Sequence, residues 1–354
     1  MHLPRQCIQR TKIVYSLLFL TVIYLLLLAG KTRKHVSGTF INIIAPAEKQ
    51  IIERFELFNP TKTPVYLSEP ESFPEEGPLK IETIFHQKWI DNNVLRQFEN
   101  NIKSLLQNHP RWEYRFWTDN SLRKFIYDTC QYMLPIWDNY PSDMHRSNAM
   151  RYIVLYEYGG VYADLDIKFF RPLDPFVRKY SCFTAREPFV HPMRLGFAHD
   201  KAGTALMGCR RKHPFMKTLI YNLPSFSIAN DRQDSVGPLF VSILYRNYIT
   251  EAGHVKPTDD DGVYMAPAEY FMSVPISAVL KSLPSICHTK KKMTHSLKWI
   301  CSHFEQGLLK TDISPFSFTT HEWALMHDRN MFVRKNETDI HNIVPQAILY
   351  MESN

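Results

Sequence analysis

The chain has 354 residues, 45% hydrophobic and 13% aromatic, which is enough apolar material for a large core and argues against general disorder. Its formal charge of +7 invites a nucleic-acid reading, but residues 1–47 carry six bases and no acid, so the remainder is nearly neutral. The short runs Arg210-Arg211-Lys212 and Lys290-Lys291-Lys292 read as solvated faces rather than phosphate tracks, and no nucleic-acid partner is expected.

The first element is the uncharged run Ile13–Ala29, flanked by bases and within the range of a membrane helix. Leu28-Ala29-Gly30 is a poor cleavage site, so a retained signal-anchor is expected: a tail over 1–12 and a transmembrane segment over 13–30. The flanking charges balance and leave the orientation open. Residues 31–79 read as a stem, rich in Pro, Glu and Ser towards its end, that cannot bury much apolar surface alone. A globular domain is expected over 80–354.

Within that domain, Ile81–His86 reads as a strand and Val94–Gln107 as a helix with apolar spacing at Leu95, Phe98, Ile102 and Leu105. Tyr114–Trp117 reads as a second strand, and Thr118-Asp119 as the N-cap of a helix through Tyr127. This alternation predicts a mostly parallel sheet covered by helices, with ligands at the carboxyl ends of the strands.

The stretch Met144–Asp174 reads as helix, Gly159-Gly160 stop, strand, and exit through Pro172. The strand is expected to run from Val161 through Asp166, which would point Asp164 and Asp166 to one face and Leu165 to the core. Two crowded anions repel and lose solvation, and a divalent cation would relieve both costs. On pattern alone the pair reads equally well as a metal clamp or as plain solvated carboxylates. The chain contains a second Asp-x-Asp at Asp259–Asp261, between Pro257 and Gly262, which reads as a solvated turn.

Further on, Ser181–Glu187 reads as a strand. His213–Tyr221 and Leu239–Tyr248 read as helices, and His321-Glu322-Trp323 lies in a late segment. A lone histidine is more often structural than a ligand. Asn336-Glu337-Thr338 is the one glycosylation sequon, since Pro60 disqualifies Asn59.

The runs Arg146-Ser147-Asn148-Ala149-Met150-Arg151-Tyr152, Tyr158-Gly159-Gly160-Val161-Tyr162-Ala163-Asp164-Leu165-Asp166 and Pro172-Leu173-Asp174 together resemble the DXD-containing glycosyltransferases of family 32. His86-Gln87-Lys88-Trp89 and the stretch His109–Asp119 extend the resemblance, although core packing is the simpler reading of His86. The resemblance implies a GT-A-like, single-domain α/β fold, a Rossmann-like central sheet flanked by helices, behind a transmembrane helix and stem. It also implies a Golgi membrane protein, single-pass type II, with a lumenal catalytic domain.

The resemblance further implies a retaining, metal-dependent transfer from a UDP-sugar or GDP-mannose to a glycolipid or glycan acceptor, with Mn²⁺ or Mg²⁺ as cofactor. Asp164, Asp166 and Arg151 would be catalytic, with Asp164, Asp166 and His321 on the metal. Asn148, Tyr162, Trp117 and Gly160 would contact the donor, with core packing the stronger reading for Tyr162 and Trp117. Asn148 stands where the family usually has Asp, Thr204 where it often has Asn, and Val236 where Thr or Ser precedes Gly-Pro. These departures motivate an alternative: a non-catalytic binding or chaperone protein with a transferase fold. With Cys7 on the cytosolic side, five cysteines remain, so one is unpaired or pairs between chains in a homo-oligomer. Cys287–Cys301 is the expected pair.

Overall fold

The computed structural model describes residues 65–194, 201–227, 236–253, 255–288, 293–324 and 336–350. The expected anchor at 13–29 and the stem up to residue 64 lie outside the described residues. Among the described residues, no helix is long and apolar enough to cross a membrane.

In chain order the strands are β1 (Ile84–Lys88), β2 (Asn93–Leu95), β3 (Glu113–Trp117), β4 (Gly160–Ala163), β5 (Ile167–Phe169), β6 (Cys182–Arg186), β7 (Ala202–Cys209), β8 (Tyr264–Ala266), β9 (Thr319–His321), β10 (Glu337–Asp339) and β11 (Ile348–Leu349). Seven of them form one sheet in the order β11-β3-β1-β4-β7-β6-β8. Every neighbouring pair is parallel except those of β7, which runs antiparallel between β4 and β6. The expected sheet is therefore present, with one reversed strand. Two small ribbons, β10-β2 and β5-β9, complete the strand pairing.

Alternation along the strands divides the core in two. Phe85, Tyr114, Phe116, Val161 and Phe183 face one side with Phe176 and Phe271. Trp117, Tyr162, Met207 and Met265 face the other, against Tyr152, Phe215 and Phe240. On this second side lies the long helix Asp143–Tyr158, in which every residue from Asn148 to Leu155 is buried. It ends where expected: Gly159 sits at φ 69° and closes the last turn by donating its N–H to Leu155 O.

Thr118 caps the helix Asp119–Thr129 through a reciprocal bond pair with Ser121. The expected helix from Val94 starts later, at Glu99, because Val94 and Leu95 are taken by pairing with β10. β7 was not anticipated. Gly208 is required there, since a Cβ would lie 2.5 Å from the Phe183 ring.

Residues 65–79, read from sequence as stem, lie against the body. Phe73 packs 5.2 Å from Phe176, between ring centroids, and Tyr66 and Leu67 join the same core. Glu71 anchors the segment: it accepts from Lys179 and Tyr264, and its own N–H donates to Tyr270 OH.

The expected disulfide Cys287–Cys301 is formed, with 5.4 Å between Cα atoms. A second, unanticipated one joins Cys182 and Cys209, directly opposite each other on β6 and β7. Cys130 is free and buried.

Candidate active site

The site is built at the carboxyl end of β4, and it departs from the expected geometry in one respect. The strand stops at Ala163. The Asp164 N–H still reaches Ala205 O of β7 at 2.8 Å, but its carbonyl accepts from Ile167 N at 3.1 Å and closes a turn. Asp164 and Asp166 therefore sit on a turn between β4 and β5, not on a continuous strand. Leu165 points into the core as expected. Gln87 supports the corner from β1, donating to the carbonyls of Ala163 and Asp164 at 3.3 Å while Tyr114 OH fixes its own oxygen.

Asp164 Oδ1 accepts from Arg151 Nη2 at 3.0 Å and from Tyr162 OH at 2.7 Å. Arg151 is buried, lies 4.7 Å over the Tyr162 ring, and gives Nη1 to Thr204 O at 2.6 Å. Burial pushes the Asp164 carboxyl up, against the pull of Arg151.

Asp166 is held by the segment 321–324. His321 Nε2 lies 3.0 Å from its Oδ1, Ala324 N–H donates to its Oδ2 at 2.9 Å, and Glu322 N–H donates to its backbone oxygen at 2.9 Å. His321 is brought there by β9, where it pairs with Ile167. Trp323 makes the clasp possible. It adopts φ 54°, a rare conformation for a bulky residue, between the amides of Glu322 and Ala324 that reach Asp166. The conformation is held by its indole N–H on Val274 O and by a ring contact of 3.9 Å to His321. Burial works against charge on Asp166, but His321 and the Ala324 amide outweigh it and hold the carboxyl below its usual range.

Asp164, Asp166 and His321 each present one donor atom, all within 4.8 Å of one another. Two carboxylate oxygens and an imidazole nitrogen suit Mn²⁺ or Mg²⁺. The 3.0 Å separation of His321 Nε2 and Asp166 Oδ1 matches an octahedral edge with bonds of about 2.1 Å. The residues present thus fit a divalent cation.

Residues 96–183 match the family described as the glycosyltransferase sugar-binding region containing the DXD motif. Inositol phosphoceramide mannosyltransferase 1 of Schizosaccharomyces pombe is 31% identical over 191 residues, 52% of this chain and 56% of that protein. Inositol phosphoceramide mannosyltransferase 3 of the same yeast is 35% identical over 170 residues, 47% of this chain and 45% of that protein. Residues 96–183 therefore carry the sugar-binding region of the DXD glycosyltransferases. The match spans about half the length of these curated relatives. Among solved structures, the PaToxG glycosyltransferase covers 81% of this chain and 99% of its own, at 13% identity and a TM-score of 0.37, too low for any argument here to rest on it.

The other expected site residues divide. Asn148 and Tyr162 stand beside Arg151: Asn148 Oδ1 accepts from Thr204 OH at 3.3 Å, and Tyr162 bonds Asp164. Trp117 belongs to the aromatic core. It is 1% exposed, stacks on Tyr350, and donates its indole N–H to His86 Nδ1 at 3.2 Å. That acceptor role leaves the proton on His86 Nε2, which donates to Gly159 O at 2.9 Å, and burial lowers the His86 pKa to about 3.

Gly160 lies away from the acidic corner. It opens β4 at the amino end, roughly 13 Å of strand away from Asp164. Its place is set by packing, since at φ 98° a Cβ would lie 2.4 Å from Ile84 O. The Asp259–Asp261 pair is a surface turn, as expected, tied to Lys256 N and Arg210. Sequence reasoning did not find the Trp323–Ala324 clasp.

Proposed function

We propose that this chain is a metal-dependent, retaining glycosyltransferase of GT-A-like fold. It moves a hexose or N-acetylhexosamine from a nucleotide-diphosphate sugar to a glycolipid or glycan acceptor. The observation that carries the reading is the convergence of Asp164, Asp166 and His321 at the carboxyl edge of the sheet, with Arg151 fixed behind them. The relatives named as inositol phosphoceramide mannosyltransferases favour GDP-mannose and a sphingolipid acceptor among these choices. The same relatives support a place on secretory-pathway membranes, as a type II Golgi protein anchored by residues 13–30, with a stem and a lumenal body.

Asp164, Asp166 and His321 would hold Mn²⁺ or Mg²⁺. The bound cation supplies Lewis acidity that takes up charge on the leaving diphosphate. The chain's own residues supply orientation. The Ala324 amide fixes Asp166 Oδ2 and the Glu322 amide fixes its backbone oxygen, so its position does not depend on solvent, and Oδ1 and His321 Nε2 are left for the cation. Arg151 and Tyr162 fix Asp164 in the same way. Preorganised polar groups of this kind act without reorganising during the reaction.

The test is donor hydrolysis and transfer by the full-length protein in detergent, with Mn²⁺ and a panel of UDP- and GDP-sugars. Asp166→Asn keeps an acceptor for the Ala324 amide, so it should fold, and it should lose Mn²⁺ binding and at least a hundredfold in turnover. Turnover within threefold of wild type in that variant would sink the metal-clamp reading.

A further inference from the structure

A third acidic residue leaves the sheet at the same edge. Glu187 follows β6, and its N–H continues the ladder by donating to Lys201 O at 2.8 Å. β6 runs parallel to β4 with β7 between them; Asp164 N–H bonds Ala205 O of β7 and Glu187 N–H bonds Lys201 O, so the two residues lie two strand spacings apart, roughly 10 Å, and are offset by roughly 13 Å along the strands. Glu187 is only 7% exposed.

Its partners tie it to the candidate site. His191 Nε2 accepts the N–H of Ile276 at 2.9 Å, so its proton sits on Nδ1, which faces Glu187 Oε2 at 3.4 Å. The His191 ring meets Trp323 edge-on at 4.8 Å, and Trp323 lies 3.9 Å from His321. A continuous row therefore runs Glu187–His191–Trp323–His321–Asp166. Lys201 Nζ lies 3.6 Å from Glu187 Oε1.

Burying a carboxylate costs several kcal/mol unless its lone pairs are met. Both approaches to Glu187 are longer than the roughly 2.7–2.9 Å of a charge-assisted hydrogen bond. Lys201 and His191 outweigh burial and hold the carboxyl below its usual range, so the group is charged at neutral pH. A charged, enclosed carboxylate whose contacts to Lys201 and His191 are both long keeps lone pairs for other donors. The hydroxyls of a sugar are such donors, and a sugar held through its diphosphate at Asp164, Asp166 and His321 extends along this edge.

We propose that the Glu187 carboxylate is a contact of the donor sugar, accepting hydrogen bonds from its hydroxyls and so setting which sugar is taken. The inference rests on the transferase reading above and adds to it a specificity residue just past the end of β6, joined to the metal ligands through His191 and Trp323. Lys201 and His191 position the carboxylate, and Trp323 couples its placement to that of His321.

The experiment compares full-length wild type, Glu187→Gln and Glu187→Asp. Calorimetry with Mn²⁺ measures affinity for UDP and GDP alone and for UDP-galactose, UDP-glucose, UDP-N-acetylglucosamine and GDP-mannose. Kinetics give kcat and KM for each donor. The expected result is unchanged nucleoside diphosphate affinity in Glu187→Gln. Affinity and kcat/KM for the preferred sugar nucleotide should fall by about tenfold to a hundredfold, the range for a hydrogen bond to a charged group.

Glu187→Asp keeps the charge on a shorter arm and should reorder the sugars. It decides the matter if the Gln variant does not fold. Two outcomes overturn the proposal: variants that match wild type within twofold on every sugar nucleotide, or an equal loss for UDP or GDP alone, which would make Glu187 a structural group. Wild type that neither binds nor turns over any donor would instead overturn the transferase reading, and this inference with it.

Discussion

Replacing Arg151 by methionine tests whether the Asp164 carboxylate depends on its buried partner. The substitution keeps an unbranched side chain of similar reach and removes the charge. Arg151 is 5% exposed and the Asp164 side chain is 20% exposed, so solvent screens the pair only weakly. The variant loses the 3.0 Å bond to Asp164, leaves Thr204 O without its 2.6 Å donor, and removes the cation from the Tyr162 ring. Breaking a buried pair from one side costs about 3–5 kcal/mol. For a folding unit of about 300 residues, that corresponds to a fall in Tm of about 5–8 °C. The assay is thermal unfolding followed by tryptophan fluorescence, on wild type, Arg151→Met, Asp164→Asn and the double variant. The double variant should recover at least about 1.5 kcal/mol relative to additivity, because it removes both charges together. A single variant within 2 °C of wild type, or strict additivity, would refute the argument that this pair fixes the acidic corner.

Two other substitutions follow from the same geometry. Gly160→Ala forces a Cβ against Ile84 O at a positive φ and should destabilise by about 3 kcal/mol or more, read as a lowered Tm together with a lowered yield of folded protein. His321→Ala should weaken Mn²⁺ binding at least tenfold, measured by the loss of free-ion electron paramagnetic resonance signal, and unchanged affinity would remove His321 from the ligand set.

The sequence made some of this site legible and hid the rest for identifiable reasons. Helical spacing and the Gly159 stop carry strong local chemistry, so the helix that ends at Tyr158 and the acidic pair after it were legible. His321 was a candidate by residue type. Its clasp was not, because the groups that hold Asp166 include two backbone amides, and an amide carries no residue signature. The alternating run Ala163-Asp164-Leu165-Asp166-Ile167 reads as a strand. It becomes a turn because the Ile167 N–H finds Asp164 O rather than a neighbouring strand. β7 contains Gly203 and Gly208, poor strand formers in isolation, and exists because β4 and β6 flank it. Residues 65–79 look unable to fold alone, yet Tyr66, Leu67 and Phe73 find a core already formed by the body.

The departures from the family pattern bear on whether the site is active. Asn148, Thr204 and Val236 looked like separate losses, but two of them touch: Thr204 OH donates to Asn148 Oδ1 at 3.3 Å. An Asn and an Asp at these two places would let an amide donate to a carboxylate. Here a hydroxyl donates to an amide, so donor and acceptor remain matched across the same gap. Val236 acts through its backbone, since its carbonyl accepts Tyr152 OH at 2.7 Å. A matched pair of this kind is what an altered donor preference, rather than lost catalysis, would require. The double variant tests this. Asn148→Asp alone buries a carboxylate, 3% exposed at that position, with a single hydroxyl donor, and should cost about 2–3 kcal/mol. Adding Thr204→Asn restores an amide donor and should return about 1 kcal/mol or more, with a shift in the ranking of sugar donors. Additive costs in thermal unfolding would show that the two residues are not a matched pair, and the case for a re-tuned site would fall.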